Sequence, residues 1–178
     1  MDLNYKITNL FPSSIHRLGI NNFNDYKNQL IQETYQERDQ DPKGRKISNY
    51  GGWQSNQVDI HKSKSEILKE IIIGSLLQLE PISDRVSMIV TGWKNINGPG
   101  NFNLKHNHPR ANFSGVLWIK TPKDSGNIVF ESPHIFNRYQ ELDSYTEESK
   151  YNSNSYMTYY FVPKEGRILI WHLIWNMK

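Results

Sequence analysis

The stretch Gly100-Asn-Phe-Asn-Leu-Lys-His106-Asn-His108-Pro109, followed at Phe113 by Phe113-Ser-Gly-Val-Leu-Trp-Ile-Lys120, sets two imidazoles one residue apart at the entrance to an apolar strand. On an extended chain, residues i and i+2 point to the same face, so His106 and His108 can converge on one metal ion. Imidazole suits iron, zinc, copper and nickel, and a facial pair with one further ligand leaves positions open for substrate or oxygen.

Working outward, the whole chain of 178 residues fits one domain, long enough to bury roughly 70% of its unfolded surface without staples. It contains no cysteine, which removes both a disulfide framework and a thiolate metal site. A metal would have to be held by His, Asp or Glu. The start, Met1-Asp-Leu-Asn-Tyr-Lys6, lacks the basic-then-apolar pattern of a signal peptide, and no apolar run approaches the ~20 residues of a membrane span, so the expected compartment is the cytoplasm. The net charge is only +3, with Lys and Arg dispersed among acids, which argues against a nucleic-acid groove. Ten Tyr and five Trp in an Asn- and Ser-rich chain fit a β-rich domain with polar loops.

The periodicity places helices first and strands after them. Asn21-Asn22 is positioned to cap a helix from about Phe23, with Phe23, Tyr26, Leu30, Ile31 and Tyr35 at helical spacing and an end before Pro42. Asp41 to Ser55 reads as a long loop broken by Gly and Pro. Ser63-Lys-Ser-Glu66 has the capping-box pattern and opens a second helix through Ile67, Leu68, Ile71, Ile72 and Leu76 towards Leu79, stopped by Pro81. Strands are then expected at Val86 to Trp93, in the histidine segment, and at Phe113 to Lys120, Asn127 to Phe130, Tyr156 to Val162 and Arg167 to Trp171. The expected architecture is mainly β with flanking helices: one domain over 1–178, helical over 1–80 and β over 86–178. The strands after two helices fit a β-sandwich or barrel backed by helices, and Asn137 to Ser155 reads as a polar, mobile loop of the kind that often covers a β-barrel mouth.

A resemblance is carried by these residues: a glycine, an aromatic two positions on, His106-x-His108-Pro109, Ser114-Gly-Val-x-aromatic-Ile-Lys120, and Gly126-Asn-Ile-Val-Phe130. Leu10-Phe-Pro12, Ser48-Asn-Tyr-Gly-Gly-Trp-Gln-Ser55 and Trp93-Lys-Asn-Ile-Asn97 add to it. Together, from about Ile7 to Ile170, the chain resembles the 2-oxoglutarate/Fe(II) oxygenase superfamily, and within it a branch of small bacterial and phage proteins related to prolyl hydroxylases. The resemblance implies a double-stranded β-helix (jelly roll) with Fe(II) at its mouth, 2-oxoglutarate as co-substrate, ascorbate as a helper, and hydroxylation of a C–H bond in a small molecule or a protein side chain. By position, His106 and His108 are the metal ligands, although His108 stands where the superfamily commonly has Asp or Glu. Three neutral imidazoles would leave the iron more positive than a set containing a carboxylate, and would favour anionic co-substrates.

Other residues carry blander expectations. Trp93, Trp118 and Phe130 read as core aromatics, and Asn95 and Asn97 as turn residues flanking Gly98-Pro-Gly100. His16, His61 and His134 read as structural or solvated, and Lys105 as facing away from the histidines. The resemblance implies that a distal His and an Arg follow the strand begun by Pro163-Lys-Glu-Gly166-Arg-Ile-Leu-Ile-Trp171, yet the chain continues His172-Leu-Ile-Trp-Asn-Met-Lys178. In one choice of synonymous codons, a single added base after Trp171 turns this ending into Ala-Ser-Tyr-Leu-Glu-His-Glu. The ending is therefore expected to reflect a frame shift, leaving C-terminal strands incomplete and the chain an unstable or inactive form of the enzyme. Two alternatives stand beside the oxygenase: a cupin-like three-His metal protein that does not use 2-oxoglutarate, and a non-catalytic jelly-roll binding module. The hydroxylated substrate is not legible, because substrate choice in such barrels lies in loops.

Overall fold

The computed structural model describes residues 6, 8, 13–79, 88–134, 146–152, 156–172 and 176–177. The expected Leu10-Phe-Pro12 motif, the helix stop at Pro81 and most of the polar stretch 137–155 lie outside these residues.

Two three-stranded antiparallel sheets face each other. In the first, β1 (Ile15–Gly19) and β8 (Phe113–Leu117) flank β11 (Arg167–His172). In the second, β10 (Thr158–Phe161) and β12 (Asn176–Met177) flank β9 (Ile128–Glu131). Alternation along β11 decides the layering. Leu169 and Trp171 point at the second sheet and pack with Phe130 and Met177, with Ile15, Val116, Trp118, Ile128 and Phe161 around them. Ile168 and Ile170 point the other way and meet the helical layer through Leu79, Ile71 and Leu76. The sequence reads continuously apolar at 168–171 because both faces of this central strand are covered.

The helices are α1 (Asn24–Gln40) and α2 (Glu66–Leu77), packed through Phe23, Leu30 and Leu68. Both were expected, but their caps differ. Phe23 occupies the N-cap of α1 and makes no side-chain cap bond, since its ring has no acceptor, and Asn22, expected to cap, stands one residue earlier in a left-handed conformation (φ 54°). Ser65, two residues later than expected, caps α2 by accepting from the Leu68 amide at 3.2 Å, while Ser63 accepts from the Ser65 amide. A glycine is required where α1 meets the sheet: Gly166 has φ 73°, and a Cβ there would lie 2.7 Å from Phe23. Close by, Lys27 reaches Glu165 at 2.6 Å, and this bond holds the Glu165 carboxyl below the usual carboxylate range.

The β-rich class stands, with corrections in detail. Among the described residues the strands make separate antiparallel sheets and no closed barrel. Within the expected loop 41–55, β2 (Asn49–Tyr50) pairs with β7 (Phe102–Asn103), and β3 (Trp53–Gln54) pairs with β6 (Asn95–Ile96). Two-residue strands leave no period to read, so the sequence could not announce them. The same holds for β4 (Val58–Asp59) on β5 (Thr91–Gly92), the only strand among the described residues of the expected stretch Val86 to Trp93. Within the polar stretch 137–155, α3 (Glu147–Asn152) is a short helix, with Lys150 bonded to Glu147 at 3.0 Å, where a mobile loop was expected. No helix among the described residues is long and apolar enough to cross a membrane.

Candidate metal site

The segment carrying the two histidines is drawn against the second sheet by its last partner. The His106 amide donates to the Met177 carbonyl at 2.9 Å, and the Met177 amide returns a bond to the His106 carbonyl at 3.1 Å. Met177 in turn is registered opposite Phe130. Directly opposed residues in an antiparallel pair point to one face, so His106, Met177 and Phe130 stand abreast on the inner side.

His108 joins them as the spacing predicts, with ring centroids 5.0 Å apart and planes inclined by 45°. Each ring is fixed through Nδ1. The Nδ1 of His106 lies 2.7 Å from the Leu104 carbonyl, which can only accept, so Nδ1 carries the proton and Nε2 keeps its lone pair. The Nδ1 of His108 lies 2.7 Å from the Ser114 hydroxyl. This is the arrangement in which a second group orients a ligating imidazole. Trp93 meets the His108 ring edge-on at 5.3 Å, so the expected core aromatic is also a wall of the site.

The Nε2 of His108 is buried and has no hydrogen-bond partner among the described residues. Burial, and then the neighbouring His106, push the His108 pKa below the ordinary histidine value and so favour the neutral ring with a free lone pair. A buried polar atom left unmatched costs stability, and a cation is one group that would satisfy it. The donor chemistry thus fits a metal held through two nitrogens. Among the described residues, no group of three or more His, Asp or Glu completes it.

His172 does not complete it either. It continues the even-numbered face of β11 that carries Ile168 and Ile170, meets the Phe113 ring at 4.4 Å with the planes tilted by 39°, and has its ring centre 6.5 Å from that of His16. Ser114, and with it His108, belong to the opposite face, together with Val116 and Trp171. Lys105 faces away as expected and pairs with Glu131 at 2.5 Å, while His61 contacts the Met88 carbonyl and His134 contacts Ser13. A surface hollow of about 670 Å³ is lined by Asn22 to Asn24, Thr121 and Pro163 to Glu165 at the other end of β11, and holds neither histidine. Ser114 and Met177 were missed as parts of the site. Ser114 stood in the quoted motif, whereas nothing in the local pattern flagged Met177.

Comparison with known families gives one relevant result. Residues 91–174, just under half of the chain, match the model of a family described as "Putative 2OG-Fe(II) oxygenase". The match supports the oxygenase superfamily resemblance and spans both histidines, Trp93 and Ser114. A comparison with curated proteins gives no match.

Proposed function

We propose that the chain is a 2-oxoglutarate- and Fe(II)-dependent oxygenase of the hydroxylase type, built on a jelly-roll scaffold, with His106 and His108 as metal ligands. The observation that carries this reading is the buried Nε2 of His108, without a partner among the described residues, beside His106 and inside the segment that matches the oxygenase family. Fe(II) held there, with 2-oxoglutarate and O2 as co-substrates, would supply the oxidising power to hydroxylate a C–H bond, 2-oxoglutarate leaving as succinate and CO2 with one oxygen atom of O2 in the succinate and the other in the product. The chain's own residues hold and shield. Leu104 and Ser114 set the two ring orientations, and Trp93, Phe130 and Met177 form apolar walls that limit water. Because both donors are neutral, an anionic co-substrate is favoured at the metal. The substrate class, a small molecule or a protein side chain, and a cytoplasmic setting belong to the same proposal, as does descent from the small bacterial and phage branch related to prolyl hydroxylases.

The test uses the purified chain with Fe(II), ascorbate and 2-oxoglutarate. An absorption band requiring both Fe(II) and 2-oxoglutarate is expected without oxygen. With oxygen, succinate should form slowly, below about 0.1 per second against a typical enzyme median of ~10 per second, because no carboxylate ligand is found among the described residues. Neither band nor succinate above the level of His108→Ala would remove the oxygenase reading.

A further inference from the structure

Tyr50 and Phe102 are registered opposite each other on the β2–β7 ribbon, with ring centroids 4.9 Å apart and planes inclined by 24°. Although stacked, both stay open to solvent, at 63% and 49% exposure, and Leu104 and Ile47 beside them are exposed as well. Leu104 joins this apolar ledge to the candidate metal site, because its carbonyl lies 2.7 Å from Nδ1 of His106. The loop that carries the ledge is tied down. The Arg45 amide donates to the Gln54 carbonyl at 2.8 Å, and Asn49 Oδ1 accepts from the Ile47 amide at 3.0 Å. Asn49 Nδ2 donates to the carbonyls of Arg45 and Gly51 at 3.2 and 3.3 Å. A fixed loop that holds several apolar side chains out in water marks a binding surface. We propose that this ledge docks the substrate of the oxygenase, and that the substrate is a protein, bound through an extended acidic segment.

Shape and charge choose the occupant. Small-molecule sites are concave and enclose most of their ligand, whereas this ledge is open and lies on a two-stranded ribbon, which suits a segment laid across it. Lys43, Arg45 and Lys46 stand exposed along the run that leads into it, and none of them pairs with a carboxylate among the described residues. The acid nearest to them in sequence, Asp41, is already engaged: its carboxylate accepts from the Gly44 amide at 3.3 Å and from the Asn56 side chain at 3.1 Å. Aromatic rings supply anchors for a polypeptide, and cations at the rim attract its acidic residues. A nucleic-acid strand is the weaker fit, since the cations of the chain are otherwise dispersed among acids. This inference rests on the oxygenase reading of the preceding section and adds the substrate class.

The experiment selects a phage library of random peptides on the full, chelator-treated chain, and measures the most enriched sequence as a synthetic peptide by fluorescence anisotropy. Enriched sequences should carry Asp and Glu around an apolar side chain. Tyr50→Ser combined with Phe102→Ser should weaken the peptide about tenfold or more. Arg45→Ser combined with Lys46→Ser should weaken it about tenfold and remove most of its salt dependence. Photo-cross-linking of the peptide to the unaltered chain should mark residues 45–50 and 102–104, and marking elsewhere overturns the surface whatever the stability of the variants. No enrichment, enrichment of Lys- and Arg-rich peptides, or unchanged affinity in either double variant overturns it too. Oligothymidine bound more tightly than the peptide would assign the ledge to a nucleic-acid strand, and a dimer lost in the Tyr50→Ser and Phe102→Ser variant would assign it to a second copy; either result overturns the proposal. Since none of these measurements needs metal, the oxygenase reading falls separately, by the absence of the absorption band that requires Fe(II) and 2-oxoglutarate.

Discussion

His108→Ala and His106→Ala should each lower Fe(II) or Co(II) affinity by at least about 100-fold, whereas His61→Ala should leave it unchanged. Substitutions one step removed from a metal already cost 10- to 100-fold, so loss of a direct donor belongs at or above the upper end. The two rings lie 5.0 Å apart, and no third imidazole or carboxylate among the described residues stands by to compensate. His61 serves as the control, since its ring contacts the Met88 carbonyl and it begins no part of the inner face. Metal content measured after gel filtration decides the matter. Equal loading of the three variants would move the site elsewhere.

The largest effect on stability is expected at Trp171. Its ring is 2% exposed and meets Phe130 edge-on at 5.0 Å in the middle of the layer between the sheets. Truncation to Ala removes that contact and leaves a cavity walled by Leu169, Phe130 and Met177, so Trp171→Ala should cost about 3–5 kcal/mol. Against a total of roughly 5–15 kcal/mol, this would lower the melting temperature by on the order of 10 °C. The neighbouring His172→Ala should cost less than about 1 kcal/mol, since His172 is exposed on the other face. Urea unfolding of both variants measures the difference, and similar losses at the two positions would mean that the alternation assigned to β11 is wrong.

That alternation also explains how far the sequence could be read. The run 168–171 and the motif at 113–120 carry their own strand signal, and the spacing of His106 and His108 carries its own geometry. Both survive because each depends only on near neighbours in the chain. Gly115 illustrates the limit: the motif shows the residue, but only the fold shows that a Cβ there would lie 2.9 Å from the Leu169 carbonyl. β1 and β12 are short, carry little period, and exist because of partners far away in sequence, so neither was foreseen. The third donor was sought as a distal histidine about five residues beyond His172; His172 itself comes too early for that role, and it stands on the other face of β11. The restored-frame ending considered above would set an imidazole at position 177, beside His106, where this chain has Met177.

The first and the last-but-one strands of the described chain are hydrogen-bonded neighbours, residues 15–19 against 167–171. A ribosome delivers the two ends of that pair at nearly opposite ends of synthesis. Until β11 emerges, α1 and α2 have no sheet to rest on, and the His106 segment has no Met177 backbone to bind. Closing so long a loop is entropically costly and slows folding, whereas a helix forms in about a microsecond. Helical circular dichroism should therefore appear well before Trp171 fluorescence reaches its final value in stopped-flow refolding, and coincident phases would contradict this order. A nascent chain halted before residue 167 would hold its helices and both histidines yet have no place to put a metal.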